Sequence, residues 1–195
     1  GHPNHVIFLT ADAFGVLPPV SKLTEDQTMY HFLSGYTAKV AGTERGIKEP
    51  VPSFSTCFGA AFLLLHPTVY AQELIKKMRE HNATAYLVNT GWVGGPPGVG
   101  ERMDLPNTRR IIDSIITGVL DHVQYEKTTY FQLYIPKGVP GCPEGICNPK
   151  NAWEDQMAWD TAARKLAQKF IDNFEEFTDS EEGKRLIAAG PQIPK

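Results

Sequence analysis

Arg102 and Thr108 are the side chains whose chemistry and setting say most about function. A guanidinium is planar, permanently charged and able to stack on a base or pair with an anion, and a threonine in the first turn of a helix sets a hydroxyl among unpaired backbone N–H groups. Both follow a particular run of residues: Asn89-Thr90-Gly91-Trp92, a glycine/proline loop, Gly100-Glu101-Arg102-Met103, and then Asn107-Thr108-Arg109. A buried strand, a flexible loop and a charged helix start laid in series build a nucleotide pocket, with the arginine at the loop exit and the threonine facing a common cleft.

The elements that must hold these residues are legible nearby. Tyr86, Leu87 and Val88 read as a short buried strand, Gly91 to Gly100 as a stretch without regular structure, and Pro106 ahead of a run of isoleucines as the first turn of a helix. Further along the chain, Val6 to Leu9 reads as a buried strand whose exit loop carries Gly15 and Pro18-Pro19. Thr24 and Gln27 form a capping-box pattern, and Met29, Phe32 and Leu33 recur at helical spacing until Gly35. Pro67 opens a helix with Tyr70, Leu74 and Met78 on its inner face. Ile111, Ile112, Ile115, Ile116 and Val119 give another with a wide apolar face, Tyr130 to Ile135 reads as a strand, and Ala162, Leu166, Phe170, Phe174 and Phe177 trace a long final helix anchored by Trp159. Interleaved strands and helices predict an α/β fold, a mixed sheet with flanking helices.

Composition narrows the class. A chain of 195 residues with 42% hydrophobic and 21% charged residues is ordinary globular material, long enough to bury a core. The formal net charge of −3 argues against nucleic acid and anionic membranes as partners, and the longest apolar run, Ala60 to Leu65, is far short of a membrane span. Three cysteines in a chain of intracellular character are expected as reduced thiols. The spacing of Cys142 and Cys147 invites a metal or disulfide reading, but no second Cys/His pair at zinc-like spacing accompanies it, which favours a plain loop. The start at Gly1, without an initiator methionine or a basic-then-apolar leader, predicts an internal fragment or a processed product.

Four separated segments, in order, resemble ATP-dependent phosphoenolpyruvate carboxykinases: Phe8-Leu-Thr-Ala-Asp-Ala-Phe-Gly-Val-Leu-Pro-Pro19, Tyr36-Thr-Ala-Lys-Val-Ala-Gly-Thr-Glu-Arg-Gly46, Cys57-Phe-Gly-Ala-Ala-Phe62 and the block from Asn89 to Arg109. The resemblance continues through Phe170-Ile-Asp-Asn-Phe174 to Ala188-Ala-Gly-Pro191. It implies that residues 1–195 are the C-terminal part of the ATP-binding domain, the later half of the family's nucleotide-binding domain, and that the N-terminal substrate domain, the phosphate loop and the metal-binding carboxylates lie outside this sequence. A half sheet of that kind leaves an open edge.

The implied activity is conversion of oxaloacetate and ATP to phosphoenolpyruvate, ADP and carbon dioxide in cytoplasmic gluconeogenesis, with Mg2+ on the nucleotide and Mn2+ at the active site. The remainder of the carboxykinase chain is then the necessary partner. The alternative is a non-catalytic nucleotide-binding or assembly piece of a split or cleaved enzyme. Carried over position by position, Arg102 stacks on adenine, Met103 adds a backbone contact where isoleucine is usual, and Thr108 lines the nucleotide site; on residue types alone Arg102 is a helix-capping residue and Thr108 a first-turn residue. The polar segment with Thr37, Lys39, Gly42, Thr43, Glu44, Arg45 and Gly46 resembles the family's active-site lid, which keeps water from a reactive enolate; composition alone makes it a surface hairpin.

The remaining candidates are weaker. Gly94, Gly95, Gly98 and Gly100 lack the lysine and hydroxyl of a phosphate loop and are broken by Pro96-Pro97, so they read as a flexible surface loop. No catalytic residue and no metal ligand is assigned within the chain. Asp12, just past a strand end, stands where ligands of open α/β sheets collect, yet an isolated aspartate there also serves as a turn residue accepting backbone hydrogen bonds. The six histidines show no metal-ligand pair, with His31 expected to be a partly buried helix residue and His66 a helix-entry residue.

Overall fold

A computed structural model describes residues 1–40, 46, 47 and 49–194. Its frame is a five-stranded sheet in the order β1 (His5–Thr10), β5 (Thr84–Asn89), β2 (Val20–Leu23), β9 (Tyr134–Pro136), β8 (Tyr125–Lys127). Only β1 and β5 are parallel; β2 runs antiparallel to both β5 and β9, and β8 antiparallel to β9, so the sheet is mixed. Two smaller antiparallel pairs stand apart from it: β3 (Tyr36–Lys39) with β4 (Val51–Phe54), and β6 (Trp92–Val93) with β7 (Glu101–Arg102).

Side-chain alternation along the strands feeds two cores. On one face Phe8, Leu23, Ala85 and Leu87 pack with the inner faces of α1 (Glu25–Ser34), α2 (Pro67–Glu80), α4 (Gln156–Phe174) and α5 (Glu181–Leu186). On the other, Val20, Tyr86, Val88 and Ile135 meet Ile111 and Ile115 of α3 (Leu105–Ile116). The result is a three-layer α/β/α stack, the arrangement that buries both faces of a sheet. β5 has neighbours on both edges and is apolar through Ala85, Tyr86, Leu87 and Val88, as a strand covered on both faces must be. β1 takes the sheet edge, and its Leu9 is 56% exposed.

Local chemistry fixes the helix ends. The Thr24–Gln27 capping box opens α1, and Gly35 closes it in the left-handed region at φ 53°. Pro67 opens α2 behind His66, whose ring accepts from the Thr68 N–H. Phe170 of α4 sits among the rings of Tyr30, His31, Tyr36, Phe54 and Phe131, tying the long helix to α1 and to the β3–β4 hairpin. Trp159 is buried in the first turns of α4, where it anchors the helix start.

Several elements differ from the sequence reading. The strand expected over Tyr130–Ile135 forms only from Tyr134 to Pro136; Gln132 adopts φ 56°, which no strand residue can, and Tyr130 and Phe131 enter the core from a turn. The α3 face is narrower than its isoleucines suggest, because Ile116 and Val119 are exposed and Leu120 is buried instead. The α2 seam runs through Ala71, Ile75 and Met78, with Tyr70 at the rim. Trp92 and Val93 form a strand inside the stretch expected to lack regular structure. Within the described residues no helix is long and apolar enough to cross a membrane.

Candidate nucleotide-binding site

The cleft begins where β5 ends. Asn89, buried at the strand terminus, uses its side-chain carbonyl to accept from the N–H groups of Asp12 (2.9 Å) and Gly91 (2.8 Å), while its amide donates to the Leu17 carbonyl at 3.0 Å. One asparagine thus joins the loops leaving β1 and β5. Gly91 passes so close to Asp12 that a Cβ would stand 2.2 Å from that residue's backbone N and O, which is why no side chain fits there. The chain then forms β6, turns through Gly94 and Gly95 at φ 75° and 148°, and returns as β7, pairing Trp92 with Arg102.

That pairing sets Arg102 at the mouth. Its guanidinium lies over the Trp92 ring, 5.8 Å from the centroid, and its Nε donates to the Thr90 carbonyl at 3.1 Å. The next residue, Met103, donates its backbone N–H to the Gly91 carbonyl at 2.8 Å. Asp104 then caps α3, accepting from the Asn107 N–H at 2.6 Å and from the Asn107 side chain at 3.0 Å.

Between this hairpin and the start of α4 lies a cleft of about 570 Å³. Gly94, Val99, Arg102, Met103 and Asp104 form one wall, and Trp153, Glu154, Asp155 and Ala158 the other. Trp153 is held upright by its indole N–H donating to the Gly15 carbonyl at 2.8 Å. Asp155 caps α4, accepting from the N–H groups of Met157 and Ala158. Two capped helix starts therefore converge on the cleft.

The charge of the lining selects among ligands. Four carboxylates, of Glu101, Asp104, Glu154 and Asp155, stand against the single guanidinium of Arg102. A polyphosphate is repelled by such a lining, whereas a neutral planar base between Arg102, the aliphatic residues and Trp153 is not. The cleft thus suits the base of a nucleotide, with the phosphates directed elsewhere.

Arg102 and Met103 line this cleft and Thr108 does not. The threonine is one turn further into α3, nearly buried, with its hydroxyl donating back to the Asp104 carbonyl at 2.8 Å. Arg102 belongs to β7 rather than capping a helix, a role that Asp104 takes. Of the candidate lid residues, Thr37 and Lys39 are half-buried on β3 and Gly46 is exposed at φ 86°; Gly42, Thr43, Glu44 and Arg45 lie outside the described residues. The α4 wall escaped the sequence reading. An Asp at 155 directly before a helical pattern, preceded by Trp153, was its signal: a capped helix start beside a large amphipathic ring.

Other reactive groups are quiet. Burial pushes the Cys57 thiol up to about 11 and Cys147 up to about 12, so neither supplies a thiolate near neutrality. All three cysteines are free. Asp12 is the turn residue, its carboxylate wrapped by the N–H groups of Phe14, Val16 and Leu17. His31 is fully buried rather than partly so.

Comparison with known proteins fits this geometry. A family model described as phosphoenolpyruvate carboxykinase matches residues 1–145, which include β1, the hairpin root and both strands of the Arg102 wall. The chain belongs to the phosphoenolpyruvate carboxykinase family. Among curated proteins, the chain is 54% identical over 193 residues to the phosphoenolpyruvate carboxykinase (ATP) of Campylobacter lari, a match covering 99% of the chain. It spans 37% of the length of that relative. Within the described residues no group of three or more His, Cys, Asp or Glu side chains is arranged to hold a metal ion.

Proposed function

We propose that these residues supply the adenine wall and the lid of an ATP-dependent phosphoenolpyruvate carboxykinase, which converts oxaloacetate and ATP to phosphoenolpyruvate, ADP and carbon dioxide. In this reading residues 1–195 are the C-terminal part of the ATP-binding domain. The substrate domain, the phosphate loop and the carboxylates that bind Mg2+ and Mn2+ come from the remainder of the carboxykinase chain. The reaction is cytoplasmic and gluconeogenic. The observation that carries the reading is the Arg102–Met103 wall at the exit of a glycine loop, in a chain 54% identical to a protein named for this activity.

The roles follow from chemistry. Adenine stacks on the Arg102 guanidinium, already steadied by Trp92 and the Thr90 carbonyl, and its edge faces the Met103 backbone. The acidic lining turns the phosphates out of the cleft, toward groups supplied by the rest of the enzyme. Thr108 supports the site from behind by locking the α3 start on which Asp104 stands. Loss of carbon dioxide from oxaloacetate leaves an enolate that must take the γ-phosphoryl group before it meets a water proton. A lid extending from β3 and β4 gives that protection.

The test is phosphoenolpyruvate formation from oxaloacetate and ATP with manganese. The full-length protein is expected to turn over and the 195-residue chain alone to stay at the blank, since the sequence contains no phosphate-loop motif and its described residues no group arranged to hold a metal ion. A full-length protein that binds ATP without forming phosphoenolpyruvate makes this a non-catalytic nucleotide-binding module.

A further inference from the structure

We propose that a small pocket beside the start of α4 binds a free inorganic oxyanion of the phosphate or sulfate class, held by the Trp159 indole N–H and the Lys150 ammonium. The pocket is separate from the Arg102 cleft, and its chemistry is independent of what that cleft binds.

Trp159 carries the inference. The residue is only 5% exposed and packs beside Tyr130 with ring centroids 5.8 Å apart, yet its Nε1–H has no hydrogen-bond partner within the protein. Such a donor is rare, because a buried N–H that gives up bulk water must find another acceptor. An indole N–H only donates, so the missing partner is an acceptor. Trp159 lines a cavity of about 80 Å³ together with Lys127, Thr129, Asn148 and Lys150. That volume is well above what one water needs and far below that of an organic cofactor site, which limits the occupant to a few atoms.

The charge of the lining favours an anion. Lys127 and Lys150 stand against the single carboxylate of Glu126, whereas the Arg102 cleft sets four carboxylates against one guanidinium. The Lys150 ammonium lies over the Trp159 ring, 5.4 Å from its centroid, and donates to Asp160 Oδ2 at 3.0 Å. An ammonium has three protons, so donors remain on that nitrogen. Asp160 is itself shared, its other oxygen accepting the Tyr130 hydroxyl at 3.3 Å. The Lys150 backbone is fixed as well: its N–H donates to Asn148 Oδ1 at 3.2 Å, capping the short helical turn Pro149–Ala152. A preorganised N–H beside an ammonium supplies the charge-assisted hydrogen bonds that hold an oxyanion. The start of α4 presents Asp155 and Ala158 to the Arg102 cleft and Trp159 to this pocket, so the two sites share a wall without sharing a lining residue.

The indole proton reports the occupant directly. The full-length protein, isotope-labelled at the tryptophan indole nitrogens and read by NMR, is held in saturating ATP so that groups binding nucleotide phosphates are filled. It is then titrated with inorganic phosphate, with sulfate, and with chloride at matched ionic strength. Trp159→Phe keeps an aromatic ring and identifies the Trp159 signal by its loss. Phosphate and sulfate are expected to move that signal downfield along a saturating curve as the N–H gains a charged acceptor, and chloride to leave it in place. The one that saturates at the lower concentration is the occupant. Lys150→Gln should weaken saturation about tenfold, the effect of losing one charge-assisted hydrogen bond at a half-buried side chain. A signal that none of the anions moves means that the N–H is bound to water, which overturns the proposal. A chloride shift equal to that of phosphate marks screening rather than binding and overturns it too. So does an undiminished response in Lys150→Gln, because the anion then acts from another place.

Discussion

Arg102→Ala separates a binding role from a folding role. In the unliganded protein the side chain makes one hydrogen bond to the Thr90 carbonyl and one stacking contact with Trp92, both at an exposed position. Such contacts contribute about 0.5–1 kcal/mol each where water competes. The strands do not depend on them, because the Trp92 N–H is bound to Asp12 and the Met103 N–H to Gly91. The loss of stability should therefore stay near 1 kcal/mol, a shift of a few degrees at most in a domain of this size. In the proposed complex adenine sandwiches and desolvates the guanidinium, and stacking would then be worth about 1–2 kcal/mol. That corresponds to roughly a five- to thirtyfold weaker ATP affinity. Arg102→Lys restores the one positive charge among four carboxylates but not the planar face, so it should recover only part of the loss. Calorimetric titration of the full-length protein with ATP, and separately with tripolyphosphate, gives the decisive comparison. Selective loss of ATP is the expected result. Equal weakening of both ligands would place Arg102 on the phosphates, and an ATP affinity within twofold of the starting protein would remove it from the site.

Two further perturbations probe the frame. Gly91→Ala drives a Cβ to 2.2 Å from the Asp12 backbone, and overpacking of this kind costs about 1–3 kcal/mol; the melting temperature should drop by several degrees with ATP affinity falling alongside, and an unshifted melt would show that the two loops can separate freely. His31 is buried beside Tyr30 and Phe170 with no hydrogen-bond partner for Nε2, and burial depresses its pKa from the ordinary 6.5 to about 4. The unfolded chain thus binds a proton that the folded one refuses, so stability is fully present above pH 6.5 and is lost as pH falls toward 4, by up to about 3 kcal/mol for this gap of 2.5 units. Urea unfolding of His31→Phe at pH 7 and pH 5 should show a flatter dependence than the starting protein; an identical slope would mean that the ring is hydrated in solution.

What the sequence made legible follows physical range. The α1 capping box and the Gly35 terminator act within one turn and were readable. So were Pro106 at the start of α3 and the apolar β5, whose burial on both faces leaves no polar alternation to confuse. β2 was not, although it lies at the centre of the sheet: four residues with Lys22 among them carry no period, and their strand state is imposed by β5 and β9 on either side. The same holds for Tyr130 and Phe131, whose β-forming side chains are spent on core contacts from a turn. Arg102 was legible as a cleft residue through its place at the exit of a glycine loop, and Met103 only through the family resemblance. The wall bearing Trp153 and Asp155 was not, because only the folded chain brings the start of α4 across from β7.

The strand order also dictates a sequence of events. Val6 pairs with Ala85, Val20 with Val88, and Lys22 with Tyr134, so no rung of the main sheet outside β8–β9 closes between neighbours in the chain. Loops this long must lose their freedom before any rung rewards it, which slows folding. During synthesis β1 waits for β5 to emerge, and β2 acquires its second neighbour only after Tyr134 has been made. The capped helix α1 can organise meanwhile, but the apolar run of β1, made first, has no partner until residues 84–89 appear, making it the segment that chaperones and neighbouring nascent chains meet first.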